Sequence, residues 1–138
     1  RAYTEADSMR YRTDLYVMNA DGTNLQRLTE MGNATRPAWS PDGITIAYEW
    51  NRHGNMLYLY NMATNQITNT DSGLQFAGNP MWNKDGTKLL IGGRKTEEER
   101  PELRLLNMEA APPEILQTVT LNKDAIGRDY DWYNVNKK

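Results

Sequence analysis

A short pattern centred on tryptophan occurs three times in this sequence. Residues 36–43 (RPAWSPDG) match residues 79–86 (NPMWNKDG), and residues 129–134 (DYDWYN) match the first half of both. The central tryptophans are 43 and 50 residues apart. Self-similarity at a period of about 40 to 50 residues is typical of stacked supersecondary units that share one continuous core. The chain is therefore expected to fold as repeated units.

Each unit contains further matching runs that have the pattern of β-strands. Residues 14–19 (DLYVMN), 56–62 (MLYLYNM) and 102–108 (ELRLLNM) show the alternation of a half-buried strand. Asp-Gly pairs at 42–43 and 85–86 follow the tryptophan runs, and tight hairpins favour such pairs because they tolerate positive φ. The pattern thus predicts four antiparallel strands in each unit, A to D, of which strand A contains the tryptophan. Repeated sheets of this kind are β-propeller blades, so we predict an all-β propeller.

The register of the repeats predicts about three blades whose strands occur in permuted order. We treat residues 1–138 as a single propeller segment and, because it begins at Arg1 without a methionine, interpret it as a processed or excised piece. The predicted parts are strands B, C and D of one blade at about 2–29, full blades at about 36–69 and 79–117, and a lone strand A at about 129–134.

Three blades leave a propeller incomplete. Rings close with four to eight blades, and an open arc exposes its terminal faces and edge strands. Two solutions stay open. A longer parent chain could supply the missing blades, or two copies could form a six-bladed homodimeric ring in which strand A of one copy pairs with strand B of the other.

The composition limits the classes of partner. Hydrophobic residues make up 38% of the chain, which is compatible with a folded, soluble protein. The formal net charge of −2 gives no basis for a nucleic-acid partner. No apolar run approaches the roughly 18 residues of a membrane span, and the absence of cysteine excludes a disulfide framework.

Residues 15–29 (LYVMNADGTNLQRLT) and 36–43 (RPAWSPDG) closely resemble the repeat of the TolB-type propellers, a WD40-like (PD40) family. The second repeat departs from that pattern at Asn83 and Lys84, which replace Ser-Pro. The resemblance implies a six-bladed, non-catalytic scaffold that binds a protein or peptide, in the periplasm or as a secreted protein. The same repeat resembles propellers that precede serine-peptidase domains. The alternative is therefore a propeller segment of a hydrolase, a peptidase or a glycan-binding protein.

Motifs for catalysis are missing from the sequence. His53 is the only histidine, so a two-histidine metal site within one chain is excluded and a Ser-His-Asp arrangement has a single possible base. No Gly-x-Ser-x-Gly turn is present. Residues 92–96 (GGRKT) lack the spacing of a phosphate loop and are interpreted as a hairpin loop. We predict no catalytic residue and no enzyme, unless the chain belongs to a longer hydrolase.

Metal and cofactor sites are likewise not predicted. Asp129 and Asp131 share a face of their strand and, with Asn134, could supply oxygen ligands to calcium. The sequence has no dense loop of oxygen ligands around them, so we expect no metal and no cofactor.

The candidate binding residues lie where the repeat fails to repeat. The B to C and D to A connections of a propeller share one end of the blades, and loops on a rigid scaffold carry recognition. These connections are rich in arginine and aromatic residues, which concentrate binding energy at interfaces. The predicted partner-binding residues are Tyr11, Arg36, Trp50, Arg52, His53, Phe76, Arg94 and Arg128. The repeated Trp39, Trp82 and Trp132 are predicted instead to pack as apolar wedges between sheets.

Overall fold

The structure, a computed structural model, describes residues 12–51 and 54–121. Ten strands form within these ranges. They are β1 (Tyr16–Val17), β2 (Gln26–Arg27), β3 (Ala34–Trp39), β4 (Thr45–Asn51), β5 (Asn55–Asn61), β6 (Gln66–Asn69), β7 (Gly78–Trp82), β8 (Lys88–Gly93), β9 (Glu102–Asn107) and β10 (Glu114–Thr120). In the same ranges, no helix has the length and apolar character needed to cross a membrane.

The strands form three antiparallel sheets in which neighbours along the chain are neighbours in space. The first sheet contains β1 and β2, the second contains β3 to β6, and the third contains β7 to β10. Strand β7 of the third sheet packs against β3, β4 and β5 of the second. The predicted all-β fold with blades of four antiparallel strands is confirmed by the second and third sheets.

Three Asp-Gly turns lie at the same end of these sheets. In each turn the aspartate accepts a hydrogen bond of 2.9 Å from the backbone N–H two residues further on, and the glycine has a φ between 71° and 84°. Hydrogen bonds from a neighbouring hydroxyl and from the backbone lower the pKa of each carboxyl. The aspartates are Asp21, Asp42 and Asp85. Their side chains close the turns, as the sequence predicts.

The first strands of the second and third sheets, β3 and β7, share one irregularity. Both β3 and β7 shift register shortly before their tryptophan. The residue three positions before it, Arg36 in β3 and Asn79 in β7, has a φ of 50°. Asparagine tolerates this left-handed conformation better than arginine does. The bulge therefore belongs to the repeat itself and recurs with a different side chain in each blade.

The second sheet is buried on both faces. The cluster between the first and second sheets contains Leu15, Ala34, Ile46, Tyr48 and Tyr60. The cluster between the second and third sheets contains Ala47, Leu57, Leu74, Ala77, Leu89, Ile91 and Leu106. Full burial of a large aliphatic side chain contributes about 1.5–3 kcal/mol, so these two clusters hold the three sheets together.

Candidate binding surface at the loop end of the blades

The connections that precede β3 and β7 (strand A of each blade) and the connections that follow β4 and β8 (strand B) meet at one end of the sheets. This end lies opposite the Asp-Gly turns. The backbone N–H groups of Gln75 and Phe76 donate to the carbonyl of Arg94 at 3.0 and 3.1 Å, and that of Asn51 donates to the carbonyl of Asn33 at 3.0 Å. We call this region the loop end and define it as residues 28–33, 70–77 and 94–101, together with the adjoining strand termini. The structure thus brings the B to C and the D to A connections together at one end, as the sequence predicts.

Phe76 and Arg94 are neighbours at the loop end. Both side chains are partly buried, and the Arg94 Nη1 donates to the carbonyl of Glu97 at 3.4 Å. A Cβ on Gly93 would overlap the carbonyl oxygen of Phe76, so glycine is required where the connection at 70–77 approaches the end of β8. This close approach fixes the position of Phe76 relative to the third sheet.

Trp50 and Arg36 lie in strands rather than in the connections where the sequence analysis placed them. The hairpin after β4 is short, because Asn51 already pairs with Asn55. The Trp50 Nε1 donates to the carbonyl of Gly32 at 2.7 Å, and its ring meets Tyr58 edge-on with centroids 5.4 Å apart. Trp50 therefore helps to anchor the connection that precedes β3.

Arg36 is half exposed and holds a buried carboxylate. Its Nη1 lies 2.6 Å from Oε2 of Glu49, and Oε1 of Glu49 accepts the backbone N–H of Asn79 at 2.6 Å. A Cβ on Gly78 would overlap Glu49. The pair therefore links strand A of one blade to strand A of the next.

The remaining predicted binding residues, namely Tyr11, Arg52, His53 and Arg128, lie outside the described residues, as does Trp132. The aspartates at 129 and 131 lie outside them as well. Across residues 12–51 and 54–121, no cluster of three or more histidine or carboxylate side chains could hold a metal ion.

The two described repeat tryptophans differ in their surroundings. Trp82 is partly buried against the cluster that contains Ala47 and Leu57, and its Nε1 donates to the carbonyl of Ala38 at 3.0 Å. Trp39, at the equivalent position of the preceding blade, is 46% exposed. Trp82 therefore lies between two sheets, whereas half of the Trp39 side chain faces solvent.

A buried ion pair that sequence analysis missed fixes the loop end from within. Arg104 Nη2 and Nε lie 2.9 and 3.2 Å from Oε2 of Glu102, and Arg104 Nη1 donates to the carbonyl of Ser72. Lys95 Nζ approaches Oε1 of Glu102 at 3.4 Å. The signal was present in the sequence: Glu102 and Arg104 occupy two positions on one face of a strand, where the preceding repeat has Met56 and Tyr58.

The ion pair makes stability depend on pH. Burial raises the pKa of Glu102, and hydrogen bonds from Arg104 and Lys95 outweigh burial, so the pKa lies below its ordinary value of 4.5. The unfolded chain therefore binds a proton more readily than the folded chain below that value. We expect the free energy of unfolding, measured with urea, to be level near neutral pH and to fall as the pH decreases below about 4.5. A Glu102→Gln variant that kept the same slope would show that other groups cause it.

Comparison with known proteins supports the fold. No family model matches the chain. The uncharacterized peptidase YuxL of Bacillus subtilis (strain 168) is 35% identical over 63 residues, which cover 42% of this chain and 9% of that protein. The alignment therefore spans less than a tenth of this curated relative.

Two solved structures have the same fold. TolB from Acinetobacter baumannii superimposes with a TM-score of 0.64 at 16% identity, over 80% of this chain and 28% of its own. The acylaminoacyl peptidase of Pyrococcus horikoshii gives a TM-score of 0.63 at 16% identity, over 86% of this chain and 22% of its own. The chain thus spans about a quarter of each. It has the TolB-like β-propeller fold.

Proposed function

We propose that this chain is a non-catalytic propeller scaffold that binds a protein or peptide through its loop end. The observation that carries the proposal is the adjacency of Phe76 and Arg94, whose backbones are joined by a hydrogen bond of 3.1 Å where the connection at 70–77 meets the end of β8. Aromatic and arginine side chains concentrate binding energy at protein interfaces. The other predicted contacts, at Tyr11, Arg36, Trp50, Arg52, His53 and Arg128, are part of the same proposal.

The rigidity of the connection at 70–77 favours this role. Arg104 donates to the carbonyl of Ser72, and the Thr70 hydroxyl donates to the carbonyl of Leu57 at 2.8 Å. At the other end of the connection, the backbone N–H groups of Gln75 and Phe76 donate to the carbonyl of Arg94. A surface that is ordered before binding loses less conformational entropy when a partner docks. Phe76 is thus presented on a fixed loop.

Two further parts of the proposal rest on the repeat and on the family that it resembles. We place the scaffold in the periplasm or outside the cell. The predicted blades at about 2–29, 36–69 and 79–117 and the lone strand at about 129–134 then form half of a six-bladed ring, which a second copy of the chain completes as a homodimer.

Binding of peptides tests the role of the loop end. Peptides selected from a displayed random library on the immobilised chain should bind the double variant Phe76→Ser/Arg94→Glu at least about tenfold more weakly, because truncation of a hot-spot residue costs about 2 kcal/mol or more. Isothermal titration calorimetry measures the change. The matched control is Met18→Ser/Leu25→Ser, which alters two exposed apolar residues at the Asp-Gly end. Loss of binding in the control alone would contradict the proposal.

A second candidate is a propeller segment associated with a peptidase. It is favoured by the matches to YuxL and to the acylaminoacyl peptidase, whose own chains are much longer than the part matched here. The genomic reading frame that contains this chain tests it. A hydrolase domain with a Gly-x-Ser-x-Gly turn in that frame would favour the second candidate over the first.

A further inference from the structure

Strand β10 is a long and exposed outer strand. It is the last strand of the third sheet and, among the described strands, packs against β9 alone. All seven of its residues are exposed. The corresponding outer strands of the other two sheets, β6 and β2, have four and two residues. Strand β10 therefore has the longest outer edge in the described part of the chain.

The hydrogen bonds to β9 establish which backbone groups of β10 face outward. The backbone N–H of Leu121 donates to the carbonyl of Pro101 at 2.8 Å, so this is a hydrogen-bonded pair. Such pairs alternate with non-hydrogen-bonded pairs along an antiparallel ladder. Val119, two residues earlier in the same register, is therefore also hydrogen-bonded to β9. The backbone N–H and C=O groups of Thr118 and Thr120 consequently point away from β9.

Little of the usual protection of a sheet edge is found in β10. Natural edge strands are blunted by shortness, lysine, proline or a bulge. Residues 115–121 (ILQTVTL) contain no charge and no proline. The register shifts between Ile115 and Gln117, and this bulge interrupts the edge only up to Gln117. A regular edge remains at residues 117–121, which we call the open edge.

The open edge has the chemistry to pair with an extended peptide. Outward N–H and C=O groups at alternate residues match the backbone of another strand. Val119 is 45% exposed, and Thr118 and Thr120 share the opposite face of the strand. Threonine opposite threonine and one β-branched residue opposite another are favourable cross-strand pairs. Glu114 is the only charged residue of β10 and is exposed, so it complements a lysine at the C-terminal end of an antiparallel peptide.

We propose that the open edge binds an extended peptide of a partner protein by strand addition. The peptide alternates threonine with β-branched apolar residues, ends in lysine and runs antiparallel to β10. It exchanges backbone hydrogen bonds with Thr118 and Thr120, while its apolar side chains pack beside Val119. This site uses neither Phe76 nor Arg94, so it goes beyond the binding proposed for the loop end.

Amide hydrogen exchange measured by NMR on the full chain tests the proposal. The probe is the N-acetylated, C-amidated peptide KTVTVTK. At about ten times its dissociation constant, the peptide should slow exchange of the Thr118 and Thr120 amides about tenfold. Exchange at Val119 should change less, because its N–H already points to β9. Absence of binding at millimolar peptide, or binding that leaves Thr118 and Thr120 unprotected, would overturn the proposal.

Backbone methylation of the peptide separates strand pairing from adsorption to the surface. N-methylation of its threonines removes the donors that face Thr118 and Thr120, so binding should weaken at least about tenfold. N-methylation of its valines modifies the other edge of the peptide and should leave the affinity within about twofold. Equal losses for the two methylated peptides would contradict strand addition.

Two proline variants test the edge from the side of the chain. Thr118→Pro removes an outward N–H and leaves the hydrogen bonds to β9 in place, so it should fold and bind the peptide at least about tenfold more weakly. The matched control is Ile67→Pro in β6. The N–H of Ile67 also points outward, because the N–H of Thr70 donates to the carbonyl of Leu57 in the same register. This control should bind like the wild type, and circular dichroism checks the folding of both variants.

The same measurements identify any other occupant or site. Protection of Thr118 and Thr120 that grows with protein concentration in the absence of peptide would make a second copy the occupant and overturn the proposal. The variant Phe76→Ser/Arg94→Glu should bind KTVTVTK normally. A loss of this binding would instead place the peptide at the loop end. Failure of the open edge and failure of the loop end are therefore distinguishable.

Discussion

Replacement of Trp82 by alanine should lower the free energy of unfolding by about 3 kcal/mol, the lower end of the range for core tryptophans. The side chain is partly buried against the cluster between the second and third sheets, and its indole N–H donates to Ala38 across the seam. Truncation thus removes apolar contacts from both blades at once. Urea denaturation followed by circular dichroism measures the loss.

Two further variants separate the contributions of Trp82. Trp82→Phe retains a ring and should cost about 1 kcal/mol for the missing hydrogen bond, in addition to any loss of packing. Ile44→Ala, at an exposed position, should stay within about 0.5 kcal/mol of the wild type. Equal losses for Trp82→Ala and Ile44→Ala would show that the seam between these blades contributes little to stability.

Replacement of Arg104 by methionine should cost about 3 kcal/mol, because Glu102 then remains buried without its main partner. The carbonyl of Ser72 also loses its donor, so the connection at 70–77 loses an anchor. Peptide binding at the loop end should weaken together with stability. Urea denaturation gives the first quantity and calorimetry with a selected peptide gives the second.

A matched double variant that also removes the charge of Glu102 should lose less stability than Arg104→Met. In Glu102→Leu/Arg104→Met no charge of the pair remains buried, and apolar replacements of buried ion pairs are often neutral. Lys95→Met removes a half-exposed partner at 3.4 Å and should cost less than about 1 kcal/mol. A double variant as unstable as Arg104→Met alone would contradict the view that unpaired burial causes the loss.

The turns and sheets were predictable because their signals are local. Asp-Gly pairs specify a hairpin through the glycine φ and the aspartate carboxylate, and alternation along residues 56–62 and 102–108 specifies strands. These signals act within a few residues, so the sequence suffices to identify them. The all-β fold and the four-stranded blades followed from them.

The surroundings of individual side chains were less predictable because they depend on the neighbouring blade. Trp39 and Trp82 have similar local sequences, yet Trp82 donates to the carbonyl of Ala38 in the preceding blade, whereas Trp39 is 46% exposed. Trp50 was expected in a loop and lies in β4, since the hairpin that follows is shorter than the repeat indicated. Glu102 and Arg104 replace apolar residues of the preceding repeat. Their role could not be predicted from the sequence, because it depends on the contact between Arg104 and the connection at 70–77.

We propose that a second copy of the chain completes the ring to which these blades belong. Light scattering on the full chain at micromolar concentration tests it most directly. A folded particle of twice the chain mass of 15.9 kDa is the predicted result. A folded monomer of 15.9 kDa would contradict the claim.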